Sequence, residues 1–282
     1  MHFGFFGINV GACASAETAA QVAQAAEAAG FESVWTGEHV VLPDPQQPPS
    51  PVAPDTPFLD PAVALTWVAA HTRRIRLGTG IIILPQRNPL VLAKELASVD
   101  VLSGGRLLFG LGIGYLKAEF DALGASFEHK GARAVEYLEA ILAVWTAARP
   151  AYHGRFVSFS GIQSLPRPLQ APHPPVIIGG QTPQAYRRAA THANGWYGFA
   201  LDPAAATACL ADLRTALAQG SRPAALGALE ISITPRGPLD LDTVRRFADA
   251  GVHRLIPYWP FPTGAALRER IARFGDEVIG KL

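Results

Sequence analysis

Apolar and polar positions along the chain alternate between two kinds of segment. Met1 to Gly7, Ser33 to Thr36, Arg74 to Leu84, Arg106 to Gly112, Val176 to Gly179, Gly195 to Phe199, Leu229 to Ile233 and His253 to Tyr258 are short runs rich in β-branched, aromatic and glycine residues. Such runs read as strands buried on both faces. Between them the apolar residues recur at helical spacing, over Ala16 up to Gly30, Pro61 to His71, Pro89 through Leu102, Ala132 to Thr146, Pro183 to His192, Pro203 to Gln219 and Leu241 to Ala250. The boundaries carry their own chemistry. Ser15 suits an N-cap, Pro89 a first helical turn, and Gly30 and Gly104-Gly105 the residues just past a last turn. From Ala132 to Thr146 the side chains of Val135, Leu138, Ile141, Leu142 and Trp145 share one face.

Two stretches interrupt the cycle. Val40 to Pro61 is so dense in proline that neither a helix nor a ladder of strand hydrogen bonds can pass through it, which makes it a long loop. Arg149 to Pro175 holds six prolines and is irregular, with room for a short hairpin at Arg155 to Phe159. Eight strands alternating with seven helical segments imply a parallel sheet covered on both sides. In 282 residues that is the size of one closed (β/α)8 barrel, a TIM barrel of the α/β class spanning residues 1–282 as a single domain, with loop insertions at its C-terminal mouth. An open doubly wound sheet would normally place G-x-G-x-x-G after its first strand, and Gly7-Ile8-Asn9-Val10-Gly11 does not fit.

Composition narrows the partners. The chain is 49% hydrophobic and 17% charged, apolar enough to offset the entropy of ordering. Its 24 basic side chains nearly balance 23 acidic ones and include only four lysines, Lys94, Lys117, Lys130 and Lys281, so nucleic acid is not an expected partner. No run reaches the ~18 to 20 apolar residues of a membrane helix. Cys13 and Cys209 are too few for a disulfide scaffold and point to the reducing cytoplasm. Phe3 to Val10 followed by Gly11 to Ala16 has the outline of a short leader or lipid-attachment site, but no Lys or Arg precedes it.

In a barrel the chemistry sits where the strands end. Those ends are Gly7 to Asn9, Gly37-Glu38-His39, Gly80-Ile81, Gly112 to Tyr115, Gly179-Gly180-Gln181, Trp196 to Phe199, Thr234 to Arg236 and Tyr258-Trp259. No set of His, Asp and Glu converges as a metal would require, and the lysine nearest a strand end is Lys117, already out in a loop. A mouth rich in glycine and aromatic surface but poor in nucleophiles points to a bound cofactor that carries the reactivity. Gly179-Gly180-Gln181-Thr182-Pro183 ends a strand and opens a helix, so it is either a phosphate cradle or a plain glycine turn. His39 is either a proton-handling imidazole or a hydrogen-bonded structural one.

In order along the chain, Gly30-Phe31-Glu32-Ser33-Val34-Trp35-Thr36-Gly37-Glu38-His39, Ile75 to Ile81, Leu84-Pro85-Gln86-Arg87-Asn88-Pro89, Ala93 to Asp100, Ser103 to Arg106, Gly110 to Tyr115 and Pro174 to Gly180 resemble the blocks of the luciferase-like monooxygenase family. The resemblance implies a barrel that binds FMN or the deazaflavin coenzyme F420 at its mouth. The short chain and the Glu38-His39 pairing are most similar to the F420-dependent branch. It further implies that His39 sits by the reacting ring and that a non-prolyl cis peptide at Gly80-Ile81 forms a bulge behind it. Gly112 would border the cofactor, and Gly179-Gly180-Gln181 would hold its phosphate. Glu38, Tyr115, Tyr258 and Trp259 are the expected substrate-pocket residues. With Trp35 and Tyr197 the aromatic members suggest a wall for an apolar, neutral small molecule. Tyr115 stands where sugar-phosphate dehydrogenases of the family carry a catalytic Glu, which argues against that substrate. The expected activity is hydride transfer between coenzyme F420 and a small organic substrate. The alternatives are an FMN-dependent monooxygenase using reduced flavin and oxygen, and a non-catalytic flavin-binding protein. The family resemblance also implies a homodimer.

Overall fold

In a computed structural model, which describes residues 1–261 and 263–282, the eight expected strands close into one ring. They are β1 (His2–Phe6), β2 (Ser33–Thr36), β3 (Arg76–Thr79) with its continuation β4 (Ile82–Ile83), β5 (Leu107–Gly112), and, after a two-stranded antiparallel hairpin of β6 (Tyr152–His153) and β7 (Ser158–Phe159), β8 (Val176–Gly179), β9 (Gly195–Leu201), β10 (Glu230–Pro235) and β11 (Arg254–Leu255). Every pairing in the ring is parallel, and β5 pairs back to β3 to close it. The fold is a (β/α)8 barrel. Around it lie α1 (Ala16–Ala28), α2 (Pro61–His71), α3 (Pro89–Ser103), α5 (Lys130–Thr146), α6 (Pro183–His192), α7 (Pro203–Gln219), α8 (Leu241–Ala250) and α9 (Gly264–Glu277), while the short α4 (Lys117–Ala122) lies in the loop after β5.

Caps explain why these helices begin where they do. Ser15, Asp60, Asn88, Thr182, Asp202 and Asp240 each accept a hydrogen bond from an amide of the following first turn, and four of those turns open with proline. Gly104 ends α3 in the left-handed conformation at φ 73°. The hairpin differs from its expected span: Arg155 to Phe159 supplies only the return strand, which pairs with Tyr152–His153. Among the described residues no helix is long and apolar enough to cross a membrane.

The third strand departs from the unbroken run that its apolar residues suggest. Gly78 stands opposite Leu108 and Ile82 opposite Leu111, so four residues on one strand span three on the other. One residue bulges out of the ladder between β3 and β4, with a cis peptide at Gly80-Ile81. The neighbour that loses its partner is Gly110. The Thr79 hydroxyl replaces it, accepting the Gly110 N–H at 2.8 Å and donating to the Gly110 carbonyl at 2.7 Å. Contact is so close that a Cβ on Gly110 would lie 1.8 Å from the Thr79 carbonyl oxygen.

Side chains fill the barrel. Phe6, Trp35, Leu108, Ile177, Tyr197 and Ile256 form the interior cluster, with Ile81 packed on it. At the N-terminal end Arg254, 1% exposed, bonds Glu32 through two nitrogens at 2.9 and 3.0 Å, pairs with Glu230, and lies 5.7 Å over the Trp35 ring. A Thr79→Val variant keeps the shape of the bulge but strands the Gly110 amide. It should lose about 2 to 3 kcal/mol of stability in urea unfolding, an amount set by leaving buried polar groups unpaired; an unchanged midpoint would mean that the hydroxyl does not hold the bulge.

Candidate active site

At the end of β2 the chain runs Gly37-Glu38-His39 into the proline-rich loop. Glu38 is buried, and its carboxylate accepts the Ile83 N–H from β4 and two guanidinium donors of Arg87, Nε at 2.8 Å and Nη2. Arg87 also reaches Asp60 at 2.7 Å, the N-cap of α2 at the far end of the loop. Burial pushes the Glu38 carboxyl above its ordinary value, against the pull of Arg87. Burial likewise opposes the Arg87 charge, but Glu38 and Asp60 outweigh it and hold the guanidinium above its ordinary value. The Glu38 carboxylate, expected among the substrate-pocket residues, is therefore already engaged by the backbone and Arg87. It ties the end of β2 to the bulged strand and, through Arg87, to the loop's exit.

His39 is placed by what Glu38 anchors. Its Nδ1 lies 3.3 Å from Oε2 of Glu119, a carboxylate 1% exposed whose Oε1 accepts the Val40 N–H at 2.7 Å. On the other side the Tyr115 hydroxyl stands 3.4 Å from Nε2, and Phe58 meets the ring edge-on at 5.5 Å. Tyr115 is 47% exposed; burial of the remainder and the charge of Glu119 raise its phenol, which keeps it protonated in neutral water. Nε2 thus faces the exposed Tyr115, away from the buried carboxylate. The sequence reading lacked Glu119. It sits on the six-residue α4, too short to show a helical period, and the available signal was an acid beside Phe120 immediately past a strand end.

The bulge places a second feature at the mouth. Ile81 is packed over the barrel interior, and the neighbouring strands make room for it with glycine. A Cβ on Gly112 would come within 1.9 Å of the Ile81 side chain, and one on Gly179 within 3.1 Å. Gly80, Ile81, Gly112 and Gly179 thus meet in an apolar shelf that fits the face of a planar ring. Beyond it, the Gly180 N–H is used by the Tyr197 carbonyl at 3.3 Å, the Ala185 N–H by the Thr182 hydroxyl at 3.2 Å, and the Gln181 side chain by the Phe199 carbonyl at 2.5 Å. The backbone amides of Gln181, Thr182 and Gln184 then have no acceptor among the described residues, at the positive end of α6. That donor set fits a phosphate.

The expected aromatic wall is divided. Tyr258 stands at the rim, edge-on to Phe6 at 5.4 Å, and Phe199 meets Phe6 at 5.3 Å. Trp35 and Tyr197 are instead buried in the barrel interior, where the Tyr197 hydroxyl bonds Thr234 at 2.5 Å. Trp259 faces the helix layer outside the ring, stacked on Phe5 and edge-on to Phe31 and Phe274, with Arg270 4.9 Å over its ring.

A family model for luciferase-like monooxygenase matches residues 1–270. The chain belongs to the luciferase-like monooxygenase family. Members of the family are oxidoreductases, monooxygenases among them. An uncharacterized protein of Mycobacterium tuberculosis (strain ATCC 25618 / H37Rv) is 35% identical over 188 residues, covering 64% of this chain and 66% of the relative. The oxygenase component of a flavin-dependent trigonelline monooxygenase from Acinetobacter baylyi is 32% identical over 168 residues, 59% of this chain and 43% of its own. The match thus spans two thirds or less of the length of both. The coenzyme F420-dependent tetrahydromethanopterin reductase of Methanopyrus kandleri shares the barrel with a TM-score of 0.78 at 19% identity over 99% of each chain.

Two outcomes test this site. Arg87→Met leaves the buried Glu38 carboxylate with a single amide donor and should cost about 3 to 5 kcal/mol in chemical unfolding, part of which Glu38→Gln added to it should restore. Nitrogen NMR of the imidazole should show His39 with its proton on Nδ1 in the native protein, and that preference should vanish in Glu119→Gln.

Proposed function

We propose that this chain is a coenzyme F420-dependent oxidoreductase that moves a hydride between the deazaflavin and a small organic substrate, with His39 handling the accompanying proton. The observation that carries this reading is the His39 ring, with Nδ1 on the buried Glu119 carboxylate and Nε2 beside the exposed Tyr115. When bound, the deazaflavin would supply or accept the hydride. A hydride delivered to a carbonyl carbon leaves an oxygen that must gain a proton, and the reverse oxidation must remove one. His39 gives or takes that proton at Nε2, while Glu119 holds the ring's orientation and balances the charge it acquires. The Tyr115 phenol donates a hydrogen bond to the same oxygen. Tyr115 stands where sugar-phosphate dehydrogenases of the family carry a Glu, and the carboxylate in this reading is Glu119, which acts through the imidazole.

The shelf of Gly80, Ile81, Gly112 and Gly179 would back the cofactor ring, and the amides of Gln181, Thr182 and Gln184 would hold its phosphate. The similarity of the Gly30 to His39 block, with its Glu38-His39 pairing, supports deazaflavin over FMN. An FMN-dependent monooxygenase is the second reading, favoured by the likeness to the trigonelline monooxygenase component. The free cysteines Cys13 and Cys209 suit the cytoplasm. The same reading includes a homodimer. The packed pair α2 and α3 leaves Val63, Trp67 and Val91 exposed at 66, 42 and 56%, a face suited to a second copy.

Side-by-side fluorescence titration with coenzyme F420 and FMN should show stoichiometric binding of the deazaflavin and weaker binding of FMN. With ketones or secondary alcohols as substrates, His39→Asn should then cut turnover by roughly 100- to 10,000-fold. Preference for FMN would replace hydride transfer with the monooxygenase reading. Light scattering should report a dimer that Val63→Glu with Val91→Glu converts to monomer.

A further inference from the structure

Beside the mouth lies a cavity of about 330 Å³. It opens between the loop after β1, Thr56 and Pro57 of the proline-rich loop, and the segment following β11, with Leu267 of α9 as part of its floor. Among the described residues no charged side chain lines it. The walls are apolar or aromatic, chiefly Phe5, Val10, Pro57, Tyr258, Trp259 and Phe261. Phe5 belongs to the core between the ring and its helices, whereas Phe6 belongs to the barrel interior, so this cavity lies to one side of the barrel axis where the shelf and His39 are grouped.

Tyr258 connects the two spaces. It lines the cavity, and the same ring stands edge-on to Phe6 at the mouth. Gly7, at φ +94°, makes this possible: a Cβ there would come within 3.0 Å of the Tyr258 ring. Resting on the hydride-transfer reading for where the reacting end of the substrate lies, we propose that the cavity receives an uncharged alkyl or aryl group of that substrate, with Tyr258 as the divider that sets how the group passes from the mouth. A charged group would lose its hydration there and find no partner, whereas each apolar carbon gains by leaving water. The volume is at the lower end of ligand sites, which run from roughly 300 to 1,000 Å³, so it suits one apolar arm of a molecule rather than the whole of it.

The test is calorimetric titration of the full chain, without cofactor, by straight-chain ketones from 2-hexanone to 2-decanone. Affinity should tighten about fourfold for each added methylene until the cavity is full. Ala12→Phe and Thr56→Phe each fill the cavity from its rim without touching His39, Tyr115 or Glu119. Both should abolish the dependence on chain length and weaken 2-decanone binding at least tenfold, with native thermal unfolding showing that they fold. Equal affinities along the series in the native protein would overturn the proposal, as would an intact length dependence in both folded variants. Because no cofactor is present, either result leaves the F420 reading to its own titration.

Discussion

One extra residue in the third barrel strand sets the geometry of the mouth. A parallel ladder with four residues against three strands a backbone amide and carbonyl in the dry interior, and such groups are costly unless paired. Thr79 pairs both with a single hydroxyl. That solution lets Gly80 and Ile81 leave the ladder toward the mouth, over neighbours that are glycine because any Cβ would collide. It also turns the Ile83 amide toward Glu38. From there the order of contacts runs through Arg87 to the end of the long loop and, one residue along the chain, to His39.

The two ends of the barrel use buried arginines differently. At the N-terminal end Arg254 is enclosed by Glu32 and Glu230 beneath Trp35, and it closes the interior where no chemistry is expected. Near the mouth Arg87 holds Glu38, Asp60 and, at 3.7 Å, Glu95. Neither cluster is a strong source of stability by itself, since removing charges from water offsets most of their attraction. What each contributes is position. Arg87 fixes both ends of a loop in which proline leaves few backbone donors, and the loop's first residues carry the His39 imidazole. Glu119 then orients that imidazole from a different element, so two independent supports converge on one ring.

Much of this was legible in the residues. The strand runs, and the helices that open at Pro61, Pro89, Pro183 and Pro203, follow local rules of burial and capping, and the barrel follows from their number and alternation. The apolar pattern alone hides the bulge, because Arg74 to Leu84 reads as one strand and the register that exposes the extra residue belongs to the pairing with β5; the family resemblance is what pointed to Gly80-Ile81. Glu38 was expected among the substrate-pocket residues; only its contacts with Ile83 and Arg87 show the carboxylate already taken. Glu119 is held on a helix too short to announce itself, and it meets His39 across 80 residues of chain. Trp259 shares a strand end with Tyr258, yet successive residues face opposite sides of the barrel wall. The periodic Leu267, Ile271 and Phe274 of α9 are apolar islands in a charged segment, so the sequence reading named no helix after the eighth strand.

The bulge and the His39–Glu119 pair are proposed together as the seat of a deazaflavin. A crystal structure of the protein soaked with coenzyme F420 tests this most directly. The account predicts the ring against Ile81, the phosphate at the amides of Gln181, Thr182 and Gln184, and His39 Nε2 on the side of the reacting carbon. A ring bound elsewhere, or one lying against Ile81 with His39 turned away from it, would contradict the account.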